Sequence, residues 1–250
     1  MNAALQTFDL CKSFGGIVAT DHVDFTLAKG ARHALIGPNG AGKTTFINQL
    51  TGVLKPSSGR IELMGEDITR LVREARVKRG LARTFQINQL FATMTPLEMI
   101  ALVTSERLGR GADPFRALDR DTELVTQTAE ILSRFKLDDI MDRSISTLPY
   151  GKQRQIEIAA AFAAKPSVLL LDEPAAGVPE AERRELMEMV GSLPDDVSVL
   201  LIEHDMDLVF RFATRITVLV NGRILAEGTP DDMARDPAVR HAYLGEGAHV

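Results

Sequence analysis

A chain of 250 residues, 45% hydrophobic and 25% charged, has the balance of an ordinary globular protein with a sizeable core. Its formal net charge of −5 argues against a nucleic-acid partner, which would favour a basic surface. The single cysteine, Cys11, precludes an internal disulfide, and no run of roughly 18 apolar residues offers a membrane span. Met1–Leu10 has neither a basic start nor a long apolar stretch, so no secretory signal is expected and the chain is expected in the cytosol.

In chain order, Leu5–Leu10 and Val23–Leu27 read as strands, punctuated by Gly15-Gly16 and Lys29-Gly30. The short apolar run Ala34-Leu35-Ile36 is a buried strand that leads into Gly37-Pro38-Asn39-Gly40-Ala41-Gly42-Lys43-Thr44. This is the Walker A spacing G-x-x-x-x-G-K-[ST], and Thr45–Leu50 can carry the helix such a loop requires. Glycines let successive backbone N–H groups turn toward phosphate, and the helix N-terminus adds partial positive charge. Lys43 can reach the β- and γ-phosphates and the Thr44 hydroxyl can bind Mg²⁺. The plain alternative is a glycine-rich turn with a solvated lysine, and the strand–loop–helix context argues against it. Arg60–Met64 is a further strand, Ile68–Lys78 a helix, and Leu81–Phe85 a short strand ending at Gln86.

From Thr95 to about Leu148 strand signals vanish and helical patterns appear at Pro96–Thr104 and Arg116–Phe135, separated by the loop Gly109–Pro114. After Gly151 the alternation of strands and helices resumes. A helix over Lys152–Ala164 stops before Pro166, Val168–Leu171 is a buried strand, and Glu180–Leu193 is a helix. Val197–Ile202 is a second buried strand and Asp205–Phe212 a helix. Ile216–Val220 and Arg223–Ala226, joined by Asn221-Gly222, form a hairpin. The expected fold is α/β: a P-loop core over 5–94 and 150–245 with a mainly parallel sheet and an antiparallel β layer, and a helical subdomain inserted at about 95–149.

Two carboxylates, Asp172 and Glu173, end the strand Val168–Leu171, at the strand edge where ligands of open α/β sheets bind. Asp172 suits Mg²⁺, and Glu173 can polarise an attacking water as general base. His204 follows the next buried strand in the same way and can hydrogen-bond a γ-phosphate; alone, such a histidine is more often structural. Gln86 can meet the Mg²⁺ shell or the water, against the reading of a polar loop residue. Leu148-Pro149-Tyr150-Gly151-Lys152-Gln153-Arg154 stands at a helix start, where Gly151 and the following amides suit phosphate, although a plain helix start explains it as well.

Together these motifs resemble the ABC ATPases over nearly the whole chain. Arg83-Thr84-Phe85-Gln86, the Tyr150-Gly151 signature, Asp172-Glu173-Pro174-Ala175-Ala176-Gly177, Ile202-Glu203-His204-Asp205-Met206 and Ala242-Tyr243-Leu244-Gly245 are similar to one branch. That branch is the longer ATP-binding subunit of branched-chain amino-acid importers. The resemblance implies ATP and Mg²⁺ as ligands, with nucleotide contacts from Gly37 to Thr45 and from Phe14 stacking on adenine. It implies two such subunits closing head to tail, so that Tyr150, Gly151 and Lys152 serve the ATP of the second subunit. It also implies transmembrane permease subunits docked near Gln86–Met94, with Phe91 and Met94 as candidate anchors, and indirectly an extracytoplasmic solute-binding protein. The expected location is the cytoplasmic face of a bacterial inner membrane. Pro149, Tyr150 and Lys152 depart from the usual signature, and Pro179 stands where many relatives have aspartate. Equal hydrolysis at both sites of an isolated pair would argue against the asymmetry these changes suggest.

Other readings are a stand-alone ABC ATPase, a cassette for another solute such as urea or amides, a GTPase switch, and a non-hydrolysing nucleotide binder. No Asn is followed by Lys, as a guanine reader needs, and Glu173 argues against the non-hydrolysing binder.

Overall fold

The computed structural model describes residues 3–84, 90–110 and 121–244. Its contacts group the chain into two compact units. One comprises residues up to Arg83, Ser167–Glu173 and Gly191 onward; the other comprises Thr84–Pro166 and Pro174–Val190.

The first unit holds two sheets. β1 (Ala3–Phe14), β2 (Ile17–Ala28), β4 (Ser58–Leu63) and β5 (Glu66–Asp67) form an antiparallel sheet in the order β2-β1-β4-β5. β3 (Arg32–Ile36), β6 (Leu81–Arg83), β7 (Val168–Asp172), β8 (Ser198–Ile202), β9 (Arg215–Val220) and β10 (Arg223–Gly228) form the second, in the order β10-β9-β3-β8-β7-β6. Its pairings are parallel except for the β9–β10 hairpin. β3, β7 and β8 are buried along almost their whole length, and apart from Arg32 and His33 on β3, Ser198 on β8 and Asp172 at the end of β7 they are apolar, as befits strands covered on both faces. Phe46, Ile47 and Leu50 of α1 (Lys43–Leu50) join Phe25, Leu27, Leu170 and Leu200 in one apolar cluster. Phe25 meets Phe46 edge-on at 5.6 Å between centroids.

β1 and β2 are twice as long as their apolar patterns predict. Register shifts after Thr7 and Leu10 break the alternation, and Asp9 and His22 both sit at positive φ there. The exposed carboxylate of Asp9 accepts a hydrogen bond from His22 Nδ1 and holds that histidine's pKa above its ordinary value. The helix expected over Ile68–Lys78 shortens to α2 (Arg73–Lys78). Thr69 N–H bonds to Asp67 Oδ1 and the Thr69 hydroxyl accepts from Ile61 N–H, a local turn that competes with helix. The buried guanidinium of Arg76 then donates to Gln49 and Leu50 carbonyls at 2.7 and 2.6 Å, capping the C-terminus of α1. Burial lowers the Arg76 pKa to about 10.

His33 on β3 supplies a pH test of this core. It is fully buried, and its Nε2–H donates to Thr217 Oγ1 at 2.8 Å while the Thr217 hydroxyl donates to Glu227 at 2.8 Å. Burial pushes the His33 pKa from 6.5 down to about 4, against the opposing pull of Glu227. Between those values the unfolded chain binds a proton that the folded chain refuses. Stability therefore falls as pH drops from 6.5 toward 4, by on the order of 1 kcal/mol per pH unit from this group. Denaturation at pH 7 and about pH 4.5 should show a larger loss in the wild type than in His33→Gln; equal losses would contradict it.

The second unit is helical: α3 (Pro96–Arg107), α4 (Thr122–Arg134), α5 (Tyr150–Ala163) and most of α6 (Glu180–Gly191). A capping box between Thr95 and Glu98 starts α3, and Asp121 caps α4. Contacts group α5 and most of α6 with this unit. Gln155 donates to the Phe135 carbonyl and to the Met189 thioether Sδ, joining α5 to the end of α4 and to α6. The first unit closes with α7 (Met206–Phe212), α8 (Pro230–Arg235) and α9 (Pro237–Leu244). No described helix is long and apolar enough to cross a membrane.

Candidate functional site

The carboxyl ends of β3, β7 and β8 open onto a cavity of about 420 Å³, lined by Gly37, Pro38, Asn39, Lys43, Glu173, His204 and Ala242. Each strand delivers its side chains at the point where its apolar run ends. After Ile36 the loop Gly37–Gly42 turns sharply into α1. Gly42 has φ 102°, and a Cβ there would lie 2.3 Å from the Ala19 carbonyl oxygen, so the turn requires glycine.

α1 starts with no side-chain cap and no acidic residue in its first turn. In contrast, α3, α4, α7 and α8 each have a capping side chain. The first amides of α1 therefore remain available to an anion. The Lys43 ammonium donates to the carbonyls of Gly37 at 2.5 Å and Pro38 at 3.0 Å. Burial lowers the Lys43 pKa, and the carboxylates of Glu173 and Asp172 oppose that shift. A bound phosphate would favour the cationic form by the same electrostatics. The Thr44 hydroxyl belongs to an exposed residue at the same helix start, and Thr45 is half-buried behind it.

β7 ends at Asp172, whose Oδ2 accepts from Arg83 at 2.6 Å. Glu173 stands at φ 47°, a left-handed conformation that is uncommon for a residue with a side chain. Its N–H bonds to the Ile202 carbonyl at 2.9 Å, which ties the turn to β8. His204 is largely exposed; its Nδ1 lies 4.0 Å from Glu173 Oε1 and 3.8 Å from the buried carboxylate of Glu203. These distances exceed a hydrogen bond, so the ring is free to turn toward a ligand. An uncapped helix start, an ammonium, a hydroxyl and two adjacent carboxylates form a donor set suited to a polyphosphate carrying a divalent cation.

The cavity thus gathers Gly37, Pro38, Asn39, Lys43, Glu173 and His204, with Gly40, Ala41, Gly42, Thr44, Thr45 and Asp172 on the adjoining loop, helix and strand end. Phe14 is not part of its lining; it lies at the β1–β2 turn, half exposed, with Lys12 Nζ 5.1 Å from its ring centroid. Gln86 lies outside the described residues. Ala242 was missed as a lining residue, although it lies in the closing Ala242-Tyr243-Leu244 segment; Arg83 was missed as the partner of Asp172.

Tyr150, Gly151 and Lys152 open α5 in the helical unit, again without a side-chain cap. Gly151 and Lys152 line a small cavity with Gln155, Val178, Glu182 and Leu186. A Cβ on Gly151 would approach Glu182 Oε2 to 2.0 Å. Tyr150 packs beside Gly177, and Phe91 is exposed while Met94 is half-buried.

The chain is similar to known proteins over nearly its whole length. Residues 20–176 match the family described as ABC transporter, and residues 223–249 match that described as Branched-chain amino acid ATP-binding cassette transporter. The high-affinity branched-chain amino acid transport ATP-binding protein BraF of Pseudomonas aeruginosa is 38% identical, over 97% of this chain and 98% of its own. The corresponding protein LivG of Escherichia coli K12 is 39% identical over the same shares. Among solved structures, the ADP conformation of MJ1267, an ATP-binding cassette of an ABC transporter, aligns with a TM-score of 0.85 and 32% identity, covering 98% of this chain and 100% of that one. This chain belongs to the ABC transporter family.

Proposed function

We propose that this chain binds Mg²⁺·ATP at the loop Gly37–Thr45 and hydrolyses it to drive import of branched-chain or related amino acids. The observation that carries this reading is the convergence of Lys43, Glu173 and His204 on one cavity at the carboxyl ends of a parallel sheet. The branched-chain amino acid transport for which BraF and LivG are named supplies the transport class.

Loop amides and Lys43 hold the phosphates. Thr44 and Asp172, with Gln86, hold Mg²⁺, which when bound neutralises charge on the phosphate oxygens. Glu173 accepts a proton as water attacks the terminal phosphorus, giving ADP, inorganic phosphate and the released proton. His204 turns to donate to the terminal phosphate, and Phe14 stacks on adenine. Residues 5–245 act as one nucleotide-binding domain. Tyr150, Gly151 and Lys152 complete the site of a second ATP-binding subunit. Transmembrane permease subunits, contacted near Phe91 and Met94, hold the chain at the cytoplasmic face of the inner membrane and link it to a solute-binding protein.

Replacing His204 with alanine should lower ATP turnover about 10²-fold with little change in thermal stability. A variant that merely unfolds, or one with normal turnover, would contradict the role. The transport reading is tested by reconstituting the chain with its membrane partners in proteoliposomes. Hydrolysis should rise when a leucine-, isoleucine- or valine-loaded binding protein is added. A rate indifferent to these amino acids but raised by urea or amides would replace the substrate class.

A further inference from the structure

Arg83 ends β6, which pairs in parallel with β7. Among the described residues its guanidinium donates to Asp172 Oδ2 at 2.6 Å and to Asn48 Oδ1 at 2.8 Å. Both members of the ion pair are well covered, with side-chain exposures of 12% and 13%. Asn48 lies on α1 four residues beyond Thr44, so the two share one face of that helix. The planar fork of Arg83 therefore spans from the helix face that carries Thr44 to the strand end that carries Asp172. Lysine, a single rotating point charge, cannot hold both acceptors in one fixed plane.

We propose that Arg83 is a positioning residue for the divalent cation of the nucleotide site, an assignment that rests on the function proposed above. Thr44 and Asp172, which would hold the cation, belong to different elements, α1 and β7. Arg83, through Asn48 on one side and Asp172 on the other, fixes their separation. One carboxylate oxygen of Asp172 is taken by the guanidinium, which leaves the other for the cation's shell. A partner that orients a metal-facing carboxylate in this way typically governs metal affinity by about 10- to 100-fold. The contact to Asn48 adds what a simple counter-ion would not need: a fixed angle between helix and strand.

The test is a titration of Mg²⁺ into the full chain with a fluorescent ATP analogue, read as analogue binding rather than turnover. In Arg83→Ala the Mg²⁺ midpoint should rise about tenfold, while binding in EDTA stays within about twofold of wild type. Arg83→Lys should recover part of the shift, and Asn48→Ala should move the midpoint in the same direction by less. A midpoint unchanged in Arg83→Ala overturns the proposal. So does a lowered midpoint, which would make Arg83 a competitor of the cation. Equal loss with and without Mg²⁺ also overturns it, because a purely structural role does that. If Arg83→Ala fails to fold, Asn48→Ala decides: an unchanged midpoint overturns the proposal. A wild-type chain with no Mg²⁺-dependent binding overturns both this assignment and the reading beneath it; a normal wild type with unshifted variants overturns this assignment alone.

Discussion

Glu173→Gln should reduce steady-state ATP turnover about 10³-fold while leaving the affinity for Mg²⁺·ATP within about threefold. The amide keeps the volume of the carboxylate but cannot accept the proton of an attacking water. Glu173 reaches the cavity because β7 ends one residue earlier and the chain turns through a left-handed conformation at φ 47°. Its N–H bond to the Ile202 carbonyl remains in the variant, so the turn should persist. Retained nucleotide without cleavage should also trap a dimer closed on ATP, visible by size-exclusion chromatography in Mg²⁺·ATP and lost in ADP. Near-normal hydrolysis by the variant would remove Glu173 as the base.

Lys43→Ala should weaken ATP binding about 10²-fold or more. Each charge-assisted hydrogen bond to a phosphate oxygen contributes about 1.5–3 kcal/mol, and tenfold in affinity corresponds to about 1.4 kcal/mol. In the structure the ammonium donates to the Gly37 and Pro38 carbonyls, so on binding phosphate the lysine would exchange two neutral acceptors for anionic ones. Burial disfavours its charge, which makes an anionic partner more valuable there than on an open surface. Equilibrium titration with a fluorescent ATP analogue measures the loss. Affinity unchanged in Lys43→Ala would remove the lysine from phosphate binding.

Much of this architecture could be read from the chain. β3, β7 and β8 were legible because their apolar runs are short, uninterrupted and followed at once by polar motifs. Their shared parallel register then brings Gly37, Lys43, Glu173 and His204 to one edge, as strand order predicts. The long β1–β2 pair was only half visible, since its bulges at Asp9 and His22 destroy the two-residue period. α8 and α9 were missed, although Thr229-Pro230 followed by Asp232 forms a capping box that marks the start of α8. Ile68 and Leu71 mimicked a helical stripe, but side-chain bonds at Asp67 and Thr69 turn that segment away from helix. The Arg83–Asp172–Asn48 bridge joins residues up to 124 positions apart in sequence, and only the folded sheet juxtaposes them. A motif spacing cannot encode such a contact.

The central claim is that the loop from Gly37 to Thr45 receives the triphosphate, and the most direct measurement is a crystal structure of the chain with Mg²⁺ and a non-hydrolysable ATP analogue. Lys43 Nζ should leave the Gly37 and Pro38 carbonyls for phosphate oxygens, with the phosphates on the first amides of α1. An analogue bound elsewhere, with Lys43 still closed on its own loop, would contradict it.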